Sequence, residues 1–183
     1  MNSFRSLING IIVIKTSFFL DKRGKFGEIY NKKFYNSNGI NVNFIQDNFS
    51  ISKKNSLRGL HFRKNKPQAQ LVTILEGEIY DVILDLREGS KTFGKWYSIN
   101  LSANDVNQVF MDSGFAHGYF VKSDVAKIHY KVSELYDPKD DFGVRWNDPD
   151  IGIIWPNKNP FIKERDSKFP LLKEHLDAKF LLK

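Results

Sequence analysis

A chain of 183 residues, 41% of them hydrophobic, is long enough for one domain with a substantial core and too apolar to be disordered. Its formal charge of +7 comes from Lys and Arg mixed with acids, without basic runs interleaved with aromatics. That pattern speaks against nucleic acid and fits a phosphorylated small molecule. The chain has no cysteine, which excludes disulfides, thiolate metal sites and cysteine nucleophiles. With no apolar stretch of membrane-spanning length and no signal-like start, the expectation is a soluble, cytoplasmic protein without membrane contact.

In chain order, Ile8 to Phe19 is rich in Ile, Val and Phe and reads as one or two strands. Asp21-Lys22-Arg23-Gly24 is a turn, and Asn36-Ser37-Asn38-Gly39 reads as a loop. From Val42 to Ser52 the chain alternates. Phe44, Gln46, Asn48, Ser50 and Ser52 share one face, while Ile45, Phe49 and Ile51 lie on the other. A polar inner face suggests a lined cavity. Gln70–Leu75 and Ile79–Leu86, joined through Glu76-Gly77-Glu78, read as a hairpin. Further strands are expected over Trp96–Leu101, Asn107–Met111, Ala116–Val121 and Ala126–Val132. Many short strands separated by Gly, Asp, Asn and Ser argue for a sandwich or barrel. Leu171 to Lys183 has helical spacing at Leu172, Leu176 and Phe180, which predicts a C-terminal helix with His175 facing solvent.

The chemistry centres on Ser56-Leu57-Arg58-Gly59-Leu60-His61-Phe62. Arg58 and His61 are an odd number of residues apart, so a regular strand would point them to opposite faces. Gly59 between them marks a bulge or close backbone approach that brings both to one site, a base beside an anion clamp. His117 stands between glycines in Gly114-Phe115-Ala116-His117-Gly118. The four histidines, His61, His117, His129 and His175, do not have the spacing of a cupin-type or zincin-type metal site. No glycine-rich phosphate loop, dinucleotide fingerprint or G-x-S-x-G elbow is present, so the chemistry runs without a recognisable nicotinamide or ATP site.

The motifs Asp21-Lys22-Arg23-Gly24-Lys25-Phe26-Gly27-Glu28, Gln46-Asp47-Asn48-Phe49-Ser50, Leu57-Arg58-Gly59-Leu60-His61-Phe62 and Gly77-Glu78-Ile79-Tyr80-Asp81-Val82 occur in that order. Phe93-Gly94-Lys95-Trp96, Gly114-Phe115-Ala116-His117-Gly118, Tyr130-Lys131, Trp146-Asn147-Asp148-Pro149 and Ile151-Gly152-Ile153-Ile154-Trp155-Pro156 follow. Taken together, they make the chain resemble the dTDP-4-dehydrorhamnose 3,5-epimerase family over nearly its whole length.

The resemblance implies a single all-β domain over residues 1–183, a jelly-roll (cupin) barrel with a short helical C-terminal segment. It also implies a homodimer without metal or cofactor, acting on a nucleotide-linked 4-keto-6-deoxy sugar. The C4 carbonyl of such a sugar acidifies the hydrogens on C3 and C5. A base removes one and an acid returns a proton to the opposite face. By motif, His61 resembles the base, Asp166 its orienting carboxylate and Tyr130 the acid. Arg58 resembles a group near the substrate's charged part. Arg23, Phe26 and Glu28 resemble residues that reach the nucleotide from the partner subunit. Gln46, Asn48 and Tyr136 resemble residues of the pocket, and His117 and Asp81 its polar partners.

Two positions depart from the family pattern. Gln70 stands where the family carries a lysine that stabilises the enolate oxygen, so His117 or Lys66 becomes the alternative donor. Ser167, followed by Lys168, stands where arginine is frequent. Three readings stay open: a 3,5-epimerase, an enzyme inverting C3 alone or using another nucleotide sugar such as a GDP-linked 4-keto heptose, and a non-catalytic sugar-nucleotide-binding barrel.

Overall fold

The computed structural model describes residues 2–6, 8–105 and 107–177. The strands are β1 (Asn2–Arg5), β2 (Ile11–Lys15), β3 (Phe19–Asp21), β4 (Gly24–Phe26), β5 (Gln46–Lys53), β6 (Ser56–Phe62) and β7 (Gln70–Glu76). β8 (Glu78–Asp85), β9 (Trp96–Ser102), β10 (Gln108–Met111), β11 (Phe115–Val121), β12 (Val125–Val132), β13 (Phe142–Gly143) and β14 (Phe161–Ile162) follow. The helices are short: α1 (Lys32–Ser37), α2 (Glu164–Ser167) and α3 (Leu172–Asp177).

Two sheets face each other. The first has the order β1-β2-β10-β7-β12-β5, the second β13-β6-β11-β8-β9, with β14 running parallel along β6. From β5 to β8 the chain alternates between them, and β9 to β12 cross back and forth again. This is the expected jelly-roll. The strands predicted from β9 to β12 are present within a residue or two of their expected limits.

The alternation of side chains explains the layers. Ile11, Val13, Val72, Ile74, Ile79, Ile83, Val109 and Ile128 fill the space between the sheets. Val82, Leu84, Leu57, Leu60 and Phe120 point out of the second sheet and are covered by Trp155 and Leu172 of the C-terminal segment. On the first sheet, Ile12, Ile14, Leu71 and Phe110 are covered by Tyr35 and Ile40. Each such fully buried aliphatic contributes about 1.5–3 kcal/mol relative to exposure.

Three expectations are corrected. β7 and β8 are not a hairpin: they belong to different sheets. Gly77, at φ +82°, turns the chain across the corner of the barrel instead of folding it back on itself. The segment expected as loop at Asn36–Gly39 is helical as far as Ser37. The missed signal was Asn31, whose side chain accepts the Phe34 N–H at 3.1 Å as an N-cap. His175 is buried rather than solvent-facing. Its Nε2 lies 3.0 Å from the Gly143 carbonyl oxygen, and its ring packs edge-on against Phe62 at 5.5 Å. The helix α3 sets Leu172 and His175 against the second sheet, so its face carrying them is covered. Phe180 lies outside the described residues. Among the described residues no helix is long and apolar enough to cross a membrane.

Candidate active site

The cavity at one end of the barrel depends on an irregularity in β6. Gly59 has φ +109°, and the register of β6 against β11 shifts between His117 and Tyr119. A Cβ on Gly59 would stand 2.5 Å from the His117 carbonyl oxygen and 2.6 Å from the Gly118 Cα, so no other residue fits. The bulge cancels the odd spacing. Arg58 and His61 both reach the same cavity, as the sequence suggested.

Behind His61 stands α2. His61 Nε2 is 2.9 Å from Asp166 Oδ2, and Asp166 is 3% exposed. The same carboxylate oxygen accepts the Gly59 N–H at 3.2 Å, so the bulge and the carboxylate hold each other in place. Arg165 Nε donates to Asp166 Oδ1 at 3.3 Å, and Arg165 Nη1 to Asp141 Oδ2 at 2.7 Å. Burial pushes the Asp166 carboxyl up. Hydrogen bonding and charge from His61, the Gly59 N–H and Arg165 outweigh it, so the group stays below the usual carboxylate range and ionised. With an N–H of Nε2 donated to Asp166, the lone pair sits on Nδ1. Phe169 packs edge-on against the imidazole at 5.7 Å.

Tyr130 enters the cavity from β12, in the facing sheet. Burial, reinforced by Tyr119, pushes its phenol above the ordinary value against the pull of Arg58, so at neutral pH it carries its proton. The cavity has a volume of ≈ 470 Å³, within the range of small-molecule sites. Gln46 and Asn48 line it from β5, joined by a 2.8 Å bond from Gln46 Nε2 to Asn48 Oδ1. Gln70, His117 and Tyr136, also predicted, line it too. His117 Nε2 lies 2.7 Å from Asp81 Oδ2, a fully buried carboxylate.

Three predicted residues are not brought to this cavity. Arg23, Phe26 and Glu28 belong to the β3–β4 ribbon and the segment after it. Arg23 Nη2 pairs with Asp21 at 2.6 Å at the exposed tip, and Phe19 and Phe26 are each 75% exposed. Other wall residues were not singled out by the sequence. Arg63 and Tyr119 each follow a chosen histidine by two residues, so strand alternation could have found them. Arg165 carried no such signal, because only the placement of α2 brings it in. Asp140 holds the rim. Its carboxylate accepts the N–H groups of Lys64, Asn65 and Lys66 at 3.1, 2.8 and 2.9 Å and so fixes the loop after Arg63. Among the described residues no group of three or more His, Asp or Glu is arranged to hold a metal ion.

A jelly-roll that sets an imidazole–carboxylate pair against a protonated phenol across an arginine-rich cavity defines a class: acid–base enzymes of the barrel type working on a polar, anionic ligand. The family model described as dTDP-4-dehydrorhamnose 3,5-epimerase matches residues 5–174. The dTDP-4-dehydrorhamnose 3,5-epimerase of Methanothermobacter thermautotrophicus is 42% identical over 174 residues, covering 93% of this chain and 94% of its own. The dTDP-4-dehydrorhamnose 3-epimerase of Streptomyces niveus is 36% identical over 95% of this chain and 85% of its own. The structure of dTDP-6-deoxy-D-glucose-3,5-epimerase from Legionella pneumophila, in complex with dTDP-4-keto-L-rhamnose, superposes with a TM-score of 0.94 at 37% identity, covering 100% of this chain and 97% of that one. This chain belongs to the dTDP-4-dehydrorhamnose 3,5-epimerase family and is an epimerase of nucleotide sugars.

Proposed function

We propose that the enzyme inverts C3 and C5 of a dTDP-linked 4-keto-6-deoxyhexose. The observation that carries this reading is the placement of His61 and Tyr130 on facing sheets across one cavity, with ionised Asp166 behind the imidazole. His61 Nδ1 takes the proton from the carbon next to the ketone, and the C–H electron pair moves into an enolate on the C4 oxygen. Asp166 stabilises the imidazolium that forms. Gln70, on the cavity wall, brings an amide N–H for the enolate oxygen, and His117, whose Nε2 is bound to Asp81, donates through Nδ1 only as the doubly protonated ring. Tyr130 then gives its proton to the opposite face of the ring, and solvent restores the phenol and clears His61. Arg58 and Arg63 supply positive charge for the diphosphate, where a guanidinium fork suits phosphate oxygens.

The working unit in this reading is a homodimer. Phe49, Ile51 and Leu75 leave an exposed apolar patch on the outer face of the first sheet, as a subunit contact requires. The β3–β4 ribbon presents Phe19 and Phe26, each 75% exposed, and Arg23, whose side chain is 87% exposed. Arg23, Phe26 and Glu28 then close over the nucleotide in the partner's cavity.

The test is solvent isotope exchange. In deuterated water with dTDP-4-keto-6-deoxyglucose, deuterium should enter at C3 and C5, and His61→Ala should abolish it. Deuterium at C3 alone would assign the enzyme to the C3-only class of the Streptomyces niveus relative, a reading favoured by Gln70 in the lysine position. Exchange only with a GDP-linked substrate would move the assignment to another nucleotide. Nucleotide-sugar binding with no exchange at either carbon would refute the epimerase reading and leave a binding barrel.

A further inference from the structure

A second polar cluster lines the cavity wall beside the acid–base pair. Tyr119 of β11 stands opposite Arg58 of β6 in the strand register and is 7% exposed. Its hydroxyl crosses to the facing sheet, where it lies 3.1 Å from Ser50 Oγ and 3.3 Å from Ser52 Oγ. Ser52 Oγ also accepts Arg58 Nε–H at 3.1 Å. Ser52 is buried and does not line the cavity, whereas Ser50, Tyr119 and Arg58 do.

One link of this cluster has a fixed direction, and in the other two either oxygen can donate. A guanidinium only donates, so Ser52 Oγ is an acceptor towards Arg58. Its own proton has the neighbouring Tyr119 oxygen within reach at 3.3 Å. With Ser52 donating there, the Tyr119 proton goes to Ser50 Oγ at 3.1 Å. Ser50 is then the last member of the chain, and it lines the cavity. Each link polarises the next in the same sense.

We propose that Ser50 is a substrate-recognition residue whose hydroxyl is oriented, through Tyr119 and Ser52, to donate to an oxygen of the sugar ring. Tyr119 is its positioning residue. The ligand class selected is a 4-keto sugar that retains a ring hydroxyl or carbonyl at that place, over the corresponding deoxy sugar. Without the Tyr119 hydroxyl, the Ser50 proton can turn back towards the wall, and the preference is lost. The inference rests on the epimerase reading above and assigns a specificity element to that site. One neutral hydrogen bond of this kind corresponds to about a fivefold preference.

The experiment measures deuterium uptake next to the ketone for dTDP-4-keto-6-deoxyglucose and its 2-deoxy and 3-deoxy analogues. It uses the wild type, Ser50→Ala, Tyr119→Phe and the double variant. The wild type should prefer the parent sugar over one analogue by about fivefold. Each single variant should lower kcat/KM on the parent by that factor, leave the penalised analogue unchanged, and so erase the preference. The double variant should be no slower than either single one, because both cut the same chain. Equal loss on all three sugars would mean a merely structural role and would overturn the proposal. So would effects that multiply, a preference that survives Tyr119→Phe, or a wild type without preference. Absence of uptake by the wild type on every sugar would instead bring down the epimerase reading itself, and this inference with it.

Discussion

Asp166→Asn isolates the charge behind the base with little change of shape. The amide oxygen can still accept the Gly59 N–H, which now reaches Asp166 Oδ2 at 3.2 Å, so the β6 bulge is retained. The lost component is the charge that stabilises the imidazolium across 2.9 Å in a buried setting. A charge-assisted hydrogen bond contributes about 1.5–3 kcal/mol. At about 1.36 kcal/mol per decade this lowers kcat roughly 10- to 200-fold. Asp166 is not on the cavity wall, so the Kd for dTDP by calorimetry should stay within about twofold. Stability gives an independent check. The Asp166 carboxyl is held below its ordinary value by His61, Gly59 and Arg165 against the opposing effect of burial. Its contribution is therefore full above the unfolded carboxylate pKa of about 3.9 and fades as pH falls through the lowered folded value. The stability gap between wild type and Asp166→Asn should shrink over that acid range. A variant with kcat within about threefold of wild type would refute the assignment of Asp166 as the partner that activates His61.

Tyr130→Phe should keep deuterium exchange at a measurable rate while inversion of configuration is lost, as read by NMR of the recovered sugar; full inversion would remove Tyr130 from the acid role. Gly59→Ala forces a Cβ to within 2.5 Å of the His117 carbonyl oxygen at a left-handed φ. It should lower stability by about 3 kcal/mol or more in urea denaturation and abolish activity, whereas a wild-type melting curve would show that the bulge is dispensable. Asp85→Ala removes the carboxylate that binds Arg87 Nη2 at 2.8 Å, Ser90 Oγ at 2.7 Å and Thr92 Oγ1 at 2.6 Å, and should cost about 3–5 kcal/mol at pH 7. Burial raises this carboxyl, but those donors pull it to about 2. The wild type should accordingly lose the advantage between about pH 4 and pH 2.

Much of this site was legible because β-strands alternate. The polar series Gln46, Asn48, Ser50 announced a cavity wall, and Gly59 between Arg58 and His61 announced a bulge. Both inferences need only the two-residue period and the steric freedom of glycine. The failures share a cause as well. Whether β7 and β8 pair or part at Gly77 depends on which sheet each joins, and two alternating strands around a short turn read alike in either case. His175 read as exposed because its burial comes from the second sheet, far away in sequence. Arg165 and Asp140 act by bringing distant segments together, so no local pattern marks them. The resemblance supplied Asp166, which on local grounds is only a carboxylate among charged neighbours.

The central claim is that the substrate ring lies between the two sheets, with base and acid on opposite faces. A crystal structure of the enzyme with a dTDP-4-keto-6-deoxy sugar bound tests it most directly. The account predicts His61 Nδ1 and Tyr130 Oη on opposite faces of the ring, each within hydrogen-transfer reach, about 3–3.5 Å, of a carbon next to the ketone. A ring with both groups on the same face, or seated away from His61, would contradict it.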